Sequence, residues 1–582
     1  MGLQEFGKAR RAYQFLRALA ACFAVFAFIG ACTGPHKTAQ PGPDTTVEGA
    51  RRPNILLIVA DDMGYSDIGS YGGEIRTPVL DRLAEEGVRF ADFAVAPTCS
   101  TTRSMLLSGV DNHLNGLGGL DTSGRPKKEV TPGYEGFLNF DVVSVASLLQ
   151  DAGYRTYMAG KWHLGNTVET GPESRGFDRV FVNPGGAGDH FSNRSSLSTR
   201  EDVAYREDGK PATVPDDFYS SQFFTDKIIS YIEADRERGQ PFFVYAAYTA
   251  PHWPLQAPDE FIDNYAGVYE AGYQAIRDAR LERLKALGFL PQVPDLPISG
   301  PMARSWDDLD DATKAKEVRR MQVYAAMVEA LDHHIGRLLD YLDRIGEREN
   351  TVIIFMSDNG AEGNDPYVIV DNKDWIPKNF ATDTAHLGKP GSYTAYGPAW
   401  AEVSATPHRL YKTFTAEGGI RAPAIFVLPG MANKGQLSHS FATVLDIAPT
   451  ILELAQAPYP QDSYRGRKIH PLQGRSMVAY LKGEADHIHA KDDVVGWELY
   501  GRRAIRQGDW KLLWIAPPYS TGRWELYNLA DDPYERHDLS AERPEILARM
   551  VALWDQYVAA NNVILEDYSK LKYGNENYHY DH

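Results

Sequence analysis

The sequence predicts an α/β protein with a large, mixed but mostly parallel sheet flanked by helices, followed by a small C-terminal antiparallel sheet with a closing helix. Three observations lead to this prediction. Continuous apolar runs end abruptly in polar residues, which is typical of strands buried on both faces of a parallel sheet. Amphipathic helical patterns lie between those runs. The C-terminal part contains only short strand-like segments separated by turn residues.

The central sheet is predicted from three apolar runs, which are 54–60 (NILLIVA), 241–247 (PFFVYAA) and 351–356 (TVIIFM). Polar residues follow each run, namely Asp61-Asp62, Pro251-His252 and Ser357-Asp358-Asn359. Ligands of open α/β sheets bind outside the carboxyl ends of the strands. These polar residues are therefore candidates for a functional site.

Two helices and an irregular insertion are predicted around the sheet. Thr77-Pro78 is a typical helix start and Gly87 a typical helix stop. Residues from about Glu317 to Ile345 carry apolar side chains at helical spacing. Residues 256–311 are rich in proline and charged residues, and they predict an irregular loop of the kind that lines a site.

The C-terminal part is predicted to form a separate small subdomain. Short strands are expected at 494–500, 503–506, 510–514 and 524–527, with a closing helix from Pro544 to about Asn561. We therefore place a large α/β domain at 53–485 and a C-terminal α+β subdomain at 486–575.

Residues 1–31 have the pattern of a bacterial lipoprotein signal peptide. Basic residues precede an apolar stretch, 19–29, that is too short to span a bilayer. Ile29-Gly-Ala-Cys32 resembles a processing site at which the cysteine is lipidated, and 32–52 is predicted to be a flexible tether. Because no aspartate follows Cys32, we expect an outer-membrane anchor facing the periplasm or the cell surface. The alternative is an ordinary secretory signal and a soluble periplasmic or secreted protein.

Composition excludes one class of partner. The 582-residue chain is 43% hydrophobic, as expected of a globular protein, and has a formal net charge of −18. Binding to nucleic acid requires clustered Lys and Arg side chains against the phosphates. The charge therefore argues against nucleic acid.

Acidic and amide side chains after two of the apolar runs predict a metal site. Asp61 and Asp62 follow the first run, and Asp358 and Asn359 follow the third. Their hard oxygen ligands suit Ca²⁺, with Mg²⁺ possible. A divalent cation would also remove the repulsion between three clustered carboxylates.

Cys99 is the cysteine that the chain beyond the signal segment could use for chemistry. The other two cysteines, Cys22 and Cys32, lie in the signal segment, so Cys99 has no intramolecular disulfide partner in the remaining chain. The apolar run Met105 to Leu107 predicts a helix that ends at Gly109. Arg103 is expected in its first turn, near the positive end of the helix dipole, where an anionic group is favoured.

Four basic side chains complete the candidate site. Lys161 and His163 are two residues apart, and on an extended segment their side chains share one face. His252 lies between prolines, a stiff setting for a proton donor. Lys412 precedes the paired glycines Gly418-Gly419, which allow close backbone approach. Taken singly, each pattern also fits a solvated turn or a chance spacing.

Together these motifs resemble type I sulfatases of the alkaline phosphatase superfamily, and bacterial arylsulfatases in particular. Any one motif is a weak signal, but all occur in the order and rough spacing of that family over roughly residues 53 to 560. The matching segments are Asp61-Asp62, the run Cys99 to Arg103, Gly160-Lys-Trp-His163, Pro251-His252, Ser357-Asp-Asn-Gly360, and Lys412 with Glu417-Gly-Gly-Ile-Arg421. Tyr396-Gly-Pro-Ala-Trp400 and Thr406-Pro-His-Arg-Leu-Tyr-Lys412 look particularly like bacterial arylsulfatases.

The resemblance implies a fold, a modification and a reaction. The sheet would be the alkaline phosphatase-like sheet of sulfatases, and 53–485 would be the catalytic domain. Formylglycine-generating machinery would oxidise Cys99 to formylglycine. One hydroxyl of the hydrated aldehyde would attack the sulfur of a sulfate monoester, and the other would then help to expel sulfate. The partner would be a small-molecule or glycan sulfate ester.

The resemblance also implies a role for each site residue. Asp61, Asp62, Asp358 and Asn359, with the modified Cys99, would ligate the cation. Lys161 and Lys412 would bind the sulfate oxygens. His252 would be the general acid for the leaving oxygen, and His163 the base of the second step. Arg103 would position the modified residue and stabilise its oxyanion.

One departure from the family pattern keeps alternatives open. The family shows Cys-x-Pro-x-Arg, and Thr101 stands where proline is expected. If Cys99 is not converted, the chain would be a non-catalytic lipoprotein that binds sulfated ligands. A phosphoryl or phosphonate ester hydrolase of the same superfamily is the other alternative. A phenol, a sterol or a sugar could carry the sulfate, and Trp253, Tyr396 and Trp400 are candidates to pack against a flat substrate.

Overall fold

The computed structural model describes residues 51–119, 131–199, 202–292, 294–298, 300–369 and 372–565. The predicted signal peptide at 1–31, Cys32 and nearly all of the predicted tether lie outside these ranges. Residues 566–575 also lie outside them, and the predicted boundaries 53–485 and 486–575 stay predictions.

Among the helices that the structure describes, none combines the length and the apolar character needed to cross a membrane.

A ten-stranded sheet forms the centre of the described part of the chain. The strands of the described residues belong to this sheet and to three smaller ones. They are β1 (Asn54–Ala60), β2 (Val88–Phe90), β3 (Phe93–Ala94), β4 (Arg155–Lys161), β5 (Arg179–Asn183), β6 (Arg206–Glu207), β7 (Lys210–Pro211), β8 (Phe242–Ala247), β9 (Thr351–Ser357), β10 (Ala424–Val427), β11 (Gln436–Ser438), β12 (Ala442–Thr443), β13 (Ser463–Tyr464), β14 (Arg467–Lys468), β15 (Val494–Leu499), β16 (Arg502–Gln507), β17 (Trp510–Trp514) and β18 (Glu525–Asn528).

The order in the large sheet is β11-β2-β10-β9-β1-β8-β4-β5-β6-β7. Neighbouring strands from β9 through β5 run parallel. Strand β10 pairs antiparallel with β9, as do β6 with β5 and β7 with β6. The predicted large, mixed but mostly parallel sheet is confirmed.

Both faces of this sheet are buried, which explains the apolar runs. Strand β1 directs Leu56, Ile58 and Ala60 into one apolar cluster. Its alternate residues Ile55, Leu57 and Val59 enter a second cluster on the opposite face. Because successive side chains of a strand point to opposite faces, a strand covered on both sides must be apolar throughout.

Helices cover the two faces. Those in the described ranges are α1 (Pro78–Glu86), α2 (Cys99–Ser108), α3 (Val145–Asp151), α4 (Ser220–Asp235), α5 (Asp259–Ile262), α6 (Gly272–Ala286), α7 (Asp311–Arg344), α8 (Asn372–Asn379), α9 (Gly397–Ser404), α10 (Glu417–Ile420), α11 (Ile447–Leu454), α12 (Val478–Leu481) and α13 (Pro544–Ala560).

The long helix α7 begins earlier than the predicted Glu317. The Asp310 side chain accepts a hydrogen bond from the Thr313 N–H and caps the helix, which sets its start at Asp311. Helix α1 has the predicted start at Pro78 and ends before Gly87.

The prediction of an irregular insertion at 256–311 is wrong in part, because helix α6 lies within it. The buried face of α6 carries Arg277 and Arg280 beside Tyr273 and Leu284. Arg280 is paired with Asp67 at 2.7 Å and with Glu74 at 2.8 Å. Arg277 donates hydrogen bonds to backbone carbonyls, including that of Leu296. Such buried arginines interrupt the apolar periodicity from which a helix is recognised in sequence.

The predicted C-terminal sheet and closing helix are confirmed. Strands β15 to β18 form an antiparallel sheet in chain order. Helix α13 packs Met550, Trp554 and Tyr557 into a cluster with Ile505 and Leu512 of this sheet.

Candidate active site

The carboxyl ends of the central parallel strands bring the predicted polar residues together. Asp61 and Asp62 follow β1, and Asp358 follows the last residue of β9. The Asp358 N–H donates to the Ala60 carbonyl over 3.1 Å, so the two strand ends are directly adjacent. Lys161 ends β4 two strands away. All of these side chains are buried.

Cys99 is the first residue of α2, which begins earlier than the apolar run had indicated. Arg103 therefore lies in the second turn of the helix and not in the predicted first turn. The helix ends before Gly109, whose φ of 65° is left-handed, as a C-terminal glycine allows. The first position of α2 places Cys99 at the positive end of the helix dipole, beside groups that attract an anion.

The Asp62 carboxylate contacts four other side chains of the site. Its Oδ1 accepts hydrogen bonds from the Cys99 thiol over 3.6 Å and from Asn359 Nδ2 over 2.7 Å. The Lys412 ammonium lies 2.8 Å from the same oxygen, and His252 Nε2 lies 3.6 Å from Oδ2. Burial raises the pKa of Asp62, but the nearby Lys412 and His252 outweigh burial and lower it, so the carboxyl is ionised.

A second ionic group surrounds Asp61. Lys161 Nζ lies 2.9 and 2.8 Å from its two carboxylate oxygens. Arg103 donates through Nε to Asp358 Oδ2 over 2.7 Å, and its Nη1 contacts the Lys161 carbonyl and the Tyr245 hydroxyl, each at 3.2 Å. Burial raises the pKa of Asp61 to about 7, although Lys161 opposes the shift.

The Cys99 thiol is held in its neutral form. Burial raises its pKa well above the usual value, and the Asp358 carboxylate adds to the shift. A neutral thiol is a weak nucleophile, because the reactive species of cysteine is the thiolate.

The expectation that Lys161 and His163 share a face through an extended backbone is wrong, because His163 has a left-handed φ of 58°. The two side chains are nevertheless brought together over Gly186. A Cβ at Gly186 would lie 2.6 Å from Lys161 Cε and 3.0 Å from His163 Cγ. Burial and the Lys161 charge lower the pKa of His163 well below its usual value, so its imidazole is neutral.

His252 has a fixed tautomer. Its Nδ1–H donates to the Trp253 carbonyl over 2.7 Å, which directs Nε2 toward Asp62. Burial lowers its pKa well below the usual value, against the opposing effect of Asp62.

The three aromatic candidates for a substrate surface differ in their contacts. The Tyr396 ring stacks on Tyr324 with centroids 4.3 Å apart, and the Trp400 ring packs against Tyr273 at 4.7 Å, so both rings have partners in the core. Trp253 does lie beside His252, with ring centroids 4.3 Å apart.

Lys412 completes the site from a loop. Its N–H donates to the Ala361 carbonyl over 2.9 Å, which ties the loop to the segment after β9. Its ammonium contacts Asp62 and also Glu362 Oε2, at 3.0 Å. Two ammonium groups and one guanidinium therefore surround the carboxylates next to Cys99.

The donor set suits a divalent cation. Ligand atoms of Asp61, Asp62, Cys99 and His252 lie within 4.8 Å of one another. Asn359 Oδ1 is buried, and it accepts no hydrogen bond from the described residues. An unpaired buried amide oxygen beside carboxylate oxygens is the kind of ligand that Ca²⁺ prefers. The residues present therefore fit the cation that the resemblance implies.

Three residues that support the site were missed in the sequence. Glu362 contacts Lys412, Tyr245 contacts Arg103, and His190 Nε2 donates to the His252 carbonyl over 3.0 Å. Glu362 lies close after the motif Ser357 to Gly360, which is a signal that could have drawn attention to it. Tyr245 and His190 lie in segments without a motif, and only the fold reveals their contacts.

Comparisons with known proteins agree with this geometry. Residues 53–457 match the family model described as Sulfatase. Residues 407–556 match the model described as N-sulphoglucosamine sulphohydrolase, C-terminal. A sulfatase of Schizosaccharomyces pombe without an assigned activity is 43% identical over 530 residues, 88% of this chain and 95% of the relative.

An arylsulfatase of Klebsiella aerogenes is 39% identical over 435 residues, 74% of this chain and 92% of the relative. The crystal structure of Ps i-CgsB in complex with k-i-k-neocarrahexaose superposes with a TM-score of 0.63 at 25% identity, covering 89% of this chain and 94% of that chain. The buried cluster of Cys99, carboxylates and cations thus lies within a chain whose family model spans most of its length. The chain belongs to the type I sulfatase family of the alkaline phosphatase superfamily, and it is an enzyme that hydrolyses sulfate esters.

Proposed function

We propose that this sulfatase is arylsulfatase-like and that it uses a formylglycine made from Cys99 together with a bound divalent cation. The observation that carries the proposal is the position of Cys99, whose thiol lies 3.6 Å from Asp62 among three buried cations. An anion that reaches Cys99 meets Lys161, Lys412 and Arg103 at close range. The similarity to the Klebsiella aerogenes arylsulfatase supports an aryl sulfate as substrate.

The lysines and the arginine bind and orient the substrate in this proposal. Lys161 and Lys412 contact sulfate oxygens, and burial makes each contact stronger than it would be in water. Arg103 is held by Asp358 and Tyr245 and therefore presents a fixed charge beside residue 99. Asp61, Asp62, Asp358 and Asn359 would hold the cation, Ca²⁺ or alternatively Mg²⁺, and when bound it supplies Lewis-acid stabilisation of negative charge.

The two histidines move protons. One hydroxyl of the hydrated residue 99 first loses its proton to solvent, which the charges of Lys161, Lys412 and Arg103 favour. Its oxygen then forms a bond to sulfur while the bond from sulfur to the alcohol oxygen breaks. In the protonated form of His252, Nδ1–H still donates to the Trp253 carbonyl, and Nε2–H, beside Asp62, gives its proton to the leaving oxygen. His163 accepts a proton from the second hydroxyl as the bond from carbon to sulfate oxygen breaks. Sulfate then leaves, the aldehyde is restored, and water rehydrates it.

A series of aryl esters tests this proposal. We expect the purified protein to hydrolyse 4-nitrophenyl sulfate in preference to 4-nitrophenyl phosphate. We also expect His252→Ala to lower kcat for phenyl sulfate by about 10²- to 10⁴-fold, because a general acid contributes that much when the leaving group needs a proton. The loss should be smaller for 4-nitrophenyl sulfate, since nitrophenolate leaves without protonation.

His333→Ala is the matched control, because His333 is an exposed histidine on helix α7. It should leave both rates unchanged. A preference for the phosphate ester would contradict the sulfatase assignment of the site. Equal losses on both sulfate esters would remove His252 from the role of general acid.

We also propose that the chain is exported and anchored to the outer membrane through a lipid on Cys32, facing the periplasm or the cell surface. The support is the lipoprotein-like segment 1–32 of the sequence. Cys32→Ser should shift the protein from the membrane fraction to the soluble fraction and abolish incorporation of labelled fatty acid. A soluble wild-type protein would favour the alternative of a periplasmic or secreted enzyme.

A further inference from the structure

The loop that carries Lys412 contains a strained residue. Thr413 has a φ of 75° and is completely buried. A β-branched residue rarely adopts the left-handed region, because its Cβ substituents clash with the backbone. Such a conformation persists only when surrounding contacts enforce it. The contacts of Thr413 therefore show what holds the Lys412 loop in place.

Thr413 forms hydrogen bonds with three segments of the chain. The Thr413 N–H donates to the Pro97 carbonyl over 2.7 Å, which ties the Lys412 loop to the segment just before Cys99. Arg502 Nη1 donates to both the carbonyl and the hydroxyl oxygen of Thr413, each over 2.7 Å. The Thr413 hydroxyl then donates to Asn364 Oδ1 over 3.4 Å.

The Arg502 side chain is buried and fixed in the position of this contact. It is the first residue of β16, so it belongs to the C-terminal sheet and not to the sheet that carries the carboxylates. Its side chain is 3% exposed, and its guanidinium lies 3.8 Å from the centre of the Phe414 ring. A planar guanidinium fixed against a ring loses little further freedom when it donates hydrogen bonds.

The C-terminal sheet also contacts the segment before Cys99. Trp497 of β15 donates through Nε1 to the Val95 carbonyl over 2.9 Å. One small sheet therefore contacts both the chain before Cys99 and the residue after Lys412. The Pro97–Thr413 hydrogen bond joins these two points.

We infer that Arg502 is a positioning residue, which holds Thr413 in its left-handed conformation and so places the Lys412 ammonium in the anion site. This inference rests on the proposed role of Lys412 in binding the sulfate group. Arg502 acts on the reaction through the carbonyl and hydroxyl oxygens of Thr413. The C-terminal sheet is then part of the catalytic apparatus, because it fixes the geometry of an anion-binding lysine.

The first test compares Arg502→Met, Lys412→Met and the double variant. Arg502→Met should raise the inhibition constant of inorganic sulfate and lower kcat/KM by roughly ten- to a hundredfold, as misplacement of a binding group by about 1 Å does. The double variant should be no worse than Lys412→Met alone, because both changes remove the same interaction. Arg503→Met is the matched control, since Arg503 follows Arg502 on β16 and its guanidinium packs over the Trp514 ring of the neighbouring strand β17. It should leave both constants unchanged.

The outcomes separate this inference from the proposed function. A wild-type inhibition constant in Arg502→Met, with a raised one in Lys412→Met, would overturn the role of Arg502 alone. Losses that multiply in the double variant would show a general structural effect and would also overturn it. An unchanged inhibition constant in Lys412→Met would overturn the proposed role of Lys412, and the inference for Arg502 with it.

Substitutions at Thr413 test the inference if Arg502→Met does not fold. Glycine adopts a left-handed backbone without strain, so Thr413→Gly should keep most of the activity. Thr413→Val keeps the strain and removes the hydroxyl that Arg502 contacts, so it should raise the inhibition constant of sulfate. In a folded Arg502→Met protein, adding Thr413→Gly should restore part of the activity. Equal activity of the glycine and valine variants would overturn the inference.

Discussion

Cys99→Ala should abolish sulfatase turnover while the protein stays folded. Loss of a nucleophile from a catalytic constellation costs on the order of 10⁴-fold or more in kcat, because the remaining groups can only bind and orient the substrate. The fold should survive, since alanine is accepted at the start of a helix and only one buried sulfur atom is removed. Turnover of 4-nitrophenyl sulfate and the circular dichroism spectrum measure the two effects.

Met105→Leu is the matched control for Cys99→Ala. Met105 lies on the same helix and is buried in the core, and leucine conserves its volume. This variant should keep wild-type turnover. Undiminished activity in Cys99→Ala would contradict the nucleophile assignment outright.

Asp62→Asn should lower kcat/KM strongly and also cause loss of bound metal. The carboxylate of Asp62 contacts Cys99, Asn359 and Lys412, so its charge influences every other group of the site. Asparagine has the same shape and readily adopts the left-handed φ of 70° found at this position, so the backbone should be unchanged. We expect a fall in kcat/KM of about 10³-fold or more, since one interaction with developing charge is already worth about 10²- to 10³-fold.

Metal content by elemental analysis and kcat/KM on the same preparation check this prediction. Asp208→Asn is a matched control, because Asp208 also has a left-handed φ, 48°, but is exposed and paired with Arg179 at 2.9 Å. It should change neither quantity. If Asp62→Asn kept its metal and its activity, the Asp62 carboxylate would be required neither for metal binding nor for catalysis.

The central sheet could be predicted because its strands are buried on both faces. Such strands must be apolar throughout, so the segment 54–60 has the same limits in sequence and in structure. Helix α6 was missed for the opposite reason, because its buried face carries Arg277 and Arg280. Partners at distant positions, such as Asp67 and Glu74, make those buried charges possible, and no local pattern reveals them.

Some residues of the candidate site could be predicted from local sequence patterns, and others could not. Asp61, Asp62, Asp358 and Asn359 follow strands, and the carboxyl ends of parallel strands meet at one edge of a sheet. His252 was a candidate because it follows the apolar run 241–247. Lys412 lies on a loop far from any such run, so its place beside Asp62 was expected from the resemblance alone. The left-handed turn at His163 and the contact of Arg502 with Thr413 depend on tertiary packing that no local rule describes.

Thr101 bears on modification more than on the folded site. It is the third residue of α2, and its hydroxyl donates to the Thr98 carbonyl over 2.8 Å. The N–H groups of the first helical turn have no intrahelical acceptor, so the fold tolerates proline as well as threonine at this position. The chemical state of residue 99 shows whether the modifying machinery accepts threonine.

The most direct test of the account is the mass of the tryptic peptide Phe90 to Arg103, from protein expressed in its native host. We predict a mass deficit that matches replacement of the cysteine thiol group by an aldehyde, in a peptide that contains Thr101. An unmodified cysteine in active enzyme would contradict the account, because the buried cations and carboxylates would then act without the nucleophile assigned to position 99.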